Sequence, residues 1–257
     1  MTQDERRKYM ISALLCERSG RDRIAAPSAP DEQRRLLRAL MNVRPPRPIS
    51  ADFLKVQDEY LRERLAERKV TDAAALDEIQ PHICLWQGDI TTLKCDAIVN
   101  AANSAMLGCF CPNHGCIDNA IHTFAGVQLR LKCAEIMAHQ GAAEPVGRAK
   151  ITPAYNLPSR YVLHTVGPYV EGLTTARDKE ALASCYRSCL ELAAANGLES
   201  VAFCCISTGE FHFPNAQAAK IAVATVREFL TAPTSVKRVI FNVFKATDRE
   251  IYARQLG

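Results

Sequence analysis

Gln87-Gly88-Asp89-Ile90-Thr91, followed closely by Asp96-Ala97-Ile98-Val99-Asn100-Ala101-Ala102-Asn103, is the stretch on which the reading of the fold turns. The first follows the apolar run 83–86 and the second contains its own, 97–99, and each passes into polar residues, the pattern of a buried strand running into a loop. Working outward, further strand candidates fall at 82–87, 97–101, 149–153, 161–166, 200–207 and 236–244. Helical periodicity occupies 117–139 (as one helix or two), 175–196, 215–230 and 248–255, with Gly197 placed to cap the second. Strands that alternate with amphipathic helices predict an α/β fold with a mixed or parallel sheet covered on both faces.

The first eighty residues read differently. Met10, Ile11, Leu14 and Leu15 recur at helical spacing, as do Leu36, Leu37, Leu40 and Met41, and then Leu54, Leu61 and Leu65. Ala26-Pro27-Ser28-Ala29-Pro30 and Arg44-Pro45-Pro46-Arg47-Pro48 break these helices, and Asp31 and Ser50 are the expected N-caps. The division expected is a helical N-terminal extension over 1–80 that packs on a main domain over 81–257. The Arg/Glu runs of the extension read as a solvated face, and no chemical motif is visible in it.

The chain has 257 residues, a net charge of +4 and interleaved acidic and basic residues, so charge gives no reason to expect nucleic acid or a membrane as partner. The opening MTQDERRKYM lacks the apolar stretch of a signal peptide, and no later run approaches a membrane span. Eleven cysteines then read as reduced thiols of a cytoplasmic protein rather than a disulfide framework. Cys204 and Cys205 lie in an apolar strand pattern, and Cys185 and Cys189 on a helix, where cysteine packs as a small apolar residue. Cys109, Cys111 and Cys116 are crowded together with His114. His122, His164 and Trp86 read as packing residues, the histidines hydrogen-bonded.

Three further stretches follow the opening pair in order: Leu157-Pro158-Ser159-Arg160-Tyr161-Val162-Leu163-His164-Thr165-Val166-Gly167-Pro168, then Cys205-Ile206-Ser207-Thr208-Gly209-Glu210-Phe211, then Asn242-Val243-Phe244. Together, and at these separations, they resemble the macrodomain family from about residue 83 to the C-terminus. The resemblance implies a three-layer α/β/α macrodomain with a mixed central sheet and a site for ADP-ribose. It implies that Asp89 accepts a hydrogen bond from the adenine amino group, with backbone around Ile90 completing that contact. Asn100 and Asn103, at a strand's carboxyl end, suit ribose hydroxyls because carboxamides donate and accept at once; capping a turn is the alternative. Ser207, Thr208, Gly209, Glu210 and Phe211 form a strand–loop–helix junction whose free N–H groups suit a diphosphate, although Ser-Thr-Gly alone is more often an ordinary turn. Phe244 stacks on adenine by the same analogy, or is simply core.

The largest departure from most macrodomains is Gly108-Cys109-Phe110-Cys111-Pro112-Asn113-His114-Gly115-Cys116, which stands where many members have a glycine-rich loop. The helix start that follows, Ile117-Asp118-Asn119-Ala120-Ile121-His122, is retained. This loop resembles the zinc-dependent branch of macrodomains, a microbial group often encoded beside a sirtuin-type ADP-ribosyltransferase and acting on carrier proteins, with a lipoyl-carrier-type protein as the expected target. The pattern assigns Cys109, His114 and Cys116 to one Zn2+ per chain, and three protein ligands with an open fourth position are the catalytic arrangement. Cys111 is the spare; as a fourth ligand it would close the site.

The function these residues predict is zinc-dependent hydrolysis that removes mono-ADP-ribose from modified protein side chains, in particular Asp or Glu. The bond cut is the glycosidic bond at C1″, through an oxocarbenium-like transition state. Asn103 orients the ribose and Asp118 is the candidate general base. Zinc either activates water or holds a distal-ribose hydroxyl. A non-catalytic ADP-ribose reader needs the same adenine and diphosphate contacts but neither the metal nor Asp118.

Overall fold

The structure, a computed structural model, describes residues 1–18 and 26–257. Its helices and strands follow in chain order as α1 (Gln3–Cys16), α2 (Pro30–Val43), α3 (Ala51–Ala66), β1 (Thr71–Asp72), β2 (Glu78–Gln80), β3 (Ile83–Gln87), β4 (Leu93–Lys94) and β5 (Ala97–Ala102). They continue with α4 (Ile117–Ala125), α5 (Val127–Gln140), β6 (Ala149–Pro153), β7 (Tyr161–Val166), α6 (Ala176–Ala195), β8 (Ser200–Phe203), α7 (Asn215–Phe229), β9 (Arg238–Val243) and α8 (Ala246–Leu256).

Seven strands form one sheet in the order β2-β3-β9-β8-β5-β7-β6. The inner five, β3, β9, β8, β5 and β7, are mutually parallel, and the edge strands β2 and β6 are antiparallel to their neighbours. Parallel strands are covered on both faces and so need nearly continuous apolar runs. Ala97-Ile98-Val99 in β5, Val162-Leu163 in β7 and Val239-Ile240-Phe241 in β9 supply them, all at most 1% exposed. Helices flank the sheet, with α6, α7 and α8 packed side by side in one layer and α4 and α5 in the other.

Local chemistry explains most element boundaries. The apolar stretch 117–139 is two helices because Gly126 adopts φ 97°, a conformation L side chains rarely take, and the two helices meet there. Gly197 (φ 64°) follows α6, as expected of a C-terminal cap. Ser50 caps α3 by accepting from Phe53 N, whereas Asp31 is no cap: Ala29 takes that place and Pro30 the first helical position, where its missing N–H costs nothing. Strand β8 ends at Phe203, so the Cys204–Ser207 part of the expected strand is already loop; Cys204 is nevertheless buried. The short, charged β2 and the two-residue β1 and β4 were invisible to periodicity.

The N-terminal helices have their own apolar cluster, in which Met10, Ile11, Leu14, Leu37, Leu40, Met41, Phe53, Tyr60 and Leu61 are joined by Val127 of α5. The expectation of a purely solvated charged face is corrected here. Arg7 and Arg44 are each only 5% exposed, Arg44 pairing with Glu17 and Arg7 with Asp4 and Gln33. Gln57 and Asp58 of α3 bond Val127 N, Gln128 and Asn156 in the main body of the fold. Polar groups buried at such a junction are normally paired, and these are except for Asn156 Oδ1, which has no partner.

Candidate functional site

The carboxyl ends of five parallel strands lie along one edge of the sheet, and each delivers a residue singled out in the sequence. Asp89 follows β3, Asn103 follows β5, Gly167 follows β7, the 204–213 loop follows β8 and Phe244 follows β9. From β5 the chain passes outward to β7 and then returns across β5 to β8, so the direction of winding reverses at β5 and β8. That reversal is where open α/β sheets form their ligand crevice.

Strand pairing sets one end of the crevice. Gly88 N donates to Val243 O at 3.0 Å, and Asn242 Nδ2 donates to Gly88 O at 2.9 Å, which locks Asp89 beside Phe244. Phe244 is 75% exposed, so it is not core. Asp89 caps a short 3-10 turn, Ile90–Thr92, accepting from Thr91 N (2.9 Å) and Thr91 Oγ1 (2.6 Å). Its other oxygen accepts from Arg68, just beyond α3, whose guanidinium lies 4.2 Å over the Phe124 ring. A carboxylate offers about four acceptor positions, so capacity remains for a ligand donor. Ile90 is 1% exposed, leaving its backbone as its contribution. Trp86 is half-buried against the core.

Ser207-Thr208-Gly209-Glu210-Phe211 turns sharply after β8, with Ser207 at φ 63° and Phe213 N donating to Ser207 O at 2.9 Å. Gly167 makes this possible, because a Cβ there would meet Ser207 Oγ at 2.0 Å. Ser207 Oγ is buried without a partner, while Gly209 is exposed with open space around it. Phe211 is supported edge-on by Tyr169 at 5.8 Å. A tight turn of this kind presents backbone N–H groups suited to an anion.

The residues 103–116 form the opposite wall. Asn103 turns the chain, accepting from Ala105 N (3.0 Å) and donating to Gly108 O (3.1 Å). Gly108, at φ 80°, passes so close over His122 that a Cβ would stand 2.8 Å from its ring. Cys109, His114 and Cys116 then converge, their ligand atoms all within 4.8 Å of one another and Cys109 Sγ 3.6 Å from His114 Nδ1. Cys111 lies outside this group with its side chain exposed. Across the crevice, His114 Nε2 is 3.5 Å from Glu210. Burial pushes the Cys116 thiol up to about 12, with the nearby Cys109 and Asp118 raising it further and Asn119 N–H opposing.

Asp118, one position into α4, is 5% exposed. Burial raises its carboxyl to about 6, against the lowering influence of the Asn100 hydrogen bond and of Arg130. Asn100 corrects an expectation. It is wholly buried and its Nδ2 donates to Asp118 Oδ1 at 2.8 Å, so it supports the acid from below rather than lining the crevice. Asn100 Nδ2 also lies 3.2 Å from His164 Nδ1, and the other ring nitrogen of His164 faces Thr152 Oγ1 at 2.9 Å. His164 is thus a bonded core residue, but His122 differs: both its ring nitrogens lack a hydrogen-bond partner, and Nε2 sits 3.5 Å from Asp118. Burial drives the pKa of both histidines down, which favours the neutral ring.

Several site residues had no signal in the sequence. Arg130 on α5 donates to Leu107 O and stacks on Phe110 at 4.3 Å, fixing the start of the Cys/His loop. Arg38 and Asn42 of α2 also reach this loop; their spacing of four, which puts them on one helix face, is the single hint the sequence offered.

The Macro domain family model matches residues 99–222. Over the whole of both chains the sequence is 54% identical to a protein-ADP-ribose hydrolase of Treponema medium. It is 51% identical to the protein-ADP-ribose hydrolase of Staphylococcus aureus, covering 96% of this chain and 93% of that one. Among solved structures, the Trypanosoma brucei macrodomain in complex with ADP-ribose superposes with TM-score 0.66 at 32% identity, covering 90% of this chain and 97% of that one.

Proposed function

This chain belongs to the macrodomain family, and we propose that it is a hydrolase that releases mono-ADP-ribose from protein side chains, with zinc held by Cys109, His114 and Cys116. The observation that carries this reading is the meeting of two walls at one sheet edge. One wall, Asp89, Phe244 and the 207–211 turn, has the groups for adenine and diphosphate. The other sets a soft-ligand cluster beside a buried acid with a raised pKa, a pairing typical of catalytic sites. The hydrolase names of the full-length relatives support the hydrolase part of it.

On this reading Asp89 accepts from the adenine amino group and Phe244 stacks on the base. The N–H groups of the 207–211 turn bind the diphosphate, which directs the distal ribose toward Asn103 and the Cys/His loop. Asn100 holds Asp118 oriented beneath the distal ribose. Burial lifts the Asp118 carboxyl above the ordinary carboxylate range, which makes it a better acceptor for a proton from water or a ribose hydroxyl.

The donor set suits zinc. Bond lengths of about 2.3 Å to sulfur and 2.0–2.1 Å to nitrogen at tetrahedral angles place the two atoms roughly 3.6 Å apart, and Cys109 Sγ and His114 Nδ1 are 3.6 Å apart. Three such ligands would leave a fourth coordination position open, and Cys111 lies outside their group with its side chain exposed. Zinc bound there supplies Lewis acidity beside the distal ribose. Ester links to Asp or Glu are the expected substrates, since a carboxylate leaves more readily than a guanidine. A lipoyl-carrier-type protein, the kind of target associated with the resembling branch and its sirtuin-type transferase, is the partner proposed.

The test is incubation of the purified protein with proteins mono-ADP-ribosylated through Asp/Glu or through Arg, with and without a chelator. Release of ADP-ribose from the esters, lost on chelation, is expected. Tight binding of ADP-ribose with no release from any linkage contradicts the proposal and makes the protein a reader.

A further inference from the structure

We infer that Arg38 and Asn42 of α2 are positioning residues that hold the Cys109–Cys116 loop in its ligand-binding shape, so that the N-terminal helices complete the site; the inference rests on the zinc reading for its consequence but not for its geometry. Arg38 Nη2 donates to the backbone carbonyl of His114 at 3.0 Å. The same guanidinium grips Asn119 Oδ1 through Nη2 (2.8 Å) and Nε (3.2 Å). Asn119 is wholly buried at the start of α4 and passes the contact on, its Nδ2 donating to Cys111 O at 3.0 Å. Asn42, 1% exposed, accepts from Asn113 N at 2.9 Å and donates to Thr123 Oγ1 at 3.0 Å.

These bonds fix the backbone on both sides of the ligand His114. The loop has no strand ladder of its own, and Asn113 sits at φ 55°, a conformation that costs energy for a non-glycine residue and persists only where its surroundings hold it. Three of the loop's backbone groups, Cys111 O, Asn113 N and His114 O, are satisfied through Arg38, Asn42 and Asn119, leaving the side chains of Cys109, His114 and Cys116 free to converge. Partners that orient metal ligands from behind typically matter about 10–100-fold in metal affinity. The guanidinium fork matters beyond its charge, because one planar group bonds a carbonyl and a carboxamide together, which an ammonium reproduces only in part.

The experiment uses the full-length protein with Arg38→Ala and Arg38→Lys. Zinc release is followed with the chromogenic chelator pyridylazoresorcinol. In chelator-stripped protein, iodoacetamide labelling of each cysteine is followed by mass spectrometry, with buried Cys204 as the reference for unfolding. Arg38→Ala is expected to surrender zinc roughly tenfold faster and, when stripped, to be alkylated at Cys109 and Cys116 about fivefold faster. Cys204 should stay unreactive, and Arg38→Lys should lie between Arg38→Ala and the parent protein. If the parent protein holds no zinc, the zinc reading fails while the labelling still decides the role of the brace. Unchanged labelling of Cys109 and Cys116 in both variants overturns the inference. So does a parallel rise at Cys204 in both, which would make Arg38 a residue of general stability.

Discussion

The two walls of the crevice are built by different means. The wall proposed for adenine and diphosphate hangs from β3, β9 and β8, whose backbone ladder places Asp89, Phe244 and Ser207. The Cys/His wall is a fourteen-residue connection between β5 and α4, held by its own Asn103 and by side chains arriving from elsewhere: Arg130, Asn119, Arg38 and Asn42. A ladder fixes position through every strand residue at once. A side-chain brace does so through a few bonds that single substitutions remove, so the second wall can be altered while the first remains. Binding and chemistry should therefore be separable by mutation here.

The largest effect expected on one wall alone is from Asp118→Ala. If Asp118 is the base, single-turnover release of ADP-ribose should fall by at least about 100-fold, in the range of general acid–base contributions. Zinc content by elemental analysis should not change, because Asp118 is not among the proposed ligands. A loss of metal along with rate would mean that the acid and the loop cannot be treated as separate parts.

Asp89→Ala tests the other wall. If Asp89 accepts from adenine as proposed, its loss should weaken ADP-ribose binding by about 1–3 kcal/mol in calorimetric titration. Because Arg68 also loses its partner, Arg68→Ala alone is the control. It should cost less, since Asp89 keeps its bonds to Thr91 and its capacity for the ligand.

The smallest effect concerns neither wall. Burial pushes the Asp96 carboxyl up, but the N–H groups of Glu199 and Ser200, the Arg160 guanidinium and the Ser200 hydroxyl together bring it below 3.8. A carboxyl whose folded pKa is depressed stabilises the protein above its unfolded pKa, and that contribution is lost as pH falls through the folded value. Asp96→Asn should therefore lower the melting temperature at pH 7 and flatten its decline between about pH 5 and pH 3. ADP-ribose affinity at neutral pH should be unchanged.

Much of the first wall was legible in the sequence and much of the second was not. Strands at 149–153 and 161–166 appear where hydrophobic periodicity put them, and Gly197 closes α6 as expected. Asp89, Phe244 and the 207–211 turn were named from the resemblance, and their place was predictable because each follows closely on a strand. Asn100 was misplaced because alternation along β5 does not tell which carboxamide meets solvent and which meets a buried acid. Arg38, Asn42 and Arg68 left almost no trace. Each acts across 21 to 81 positions of chain, through contacts that packing of the N-terminal helices creates. Residues of that kind carry no motif, and in the sequence they merge with the charged helix faces around them.

The separation of binding from chemistry is tested most directly by measuring, on one preparation each of Cys116→Ala and Cys111→Ser, zinc content, ADP-ribose affinity and single-turnover release from an Asp/Glu-linked substrate. Cys116→Ala is predicted to lose its zinc and at least about 100-fold in rate, while ADP-ribose affinity falls by less than about tenfold because the sheet-borne wall is intact. Cys111→Ser should match the parent protein in all three. A Cys116→Ala protein that releases ADP-ribose at the parent rate, or a Cys111→Ser protein that also loses its zinc, would contradict the account.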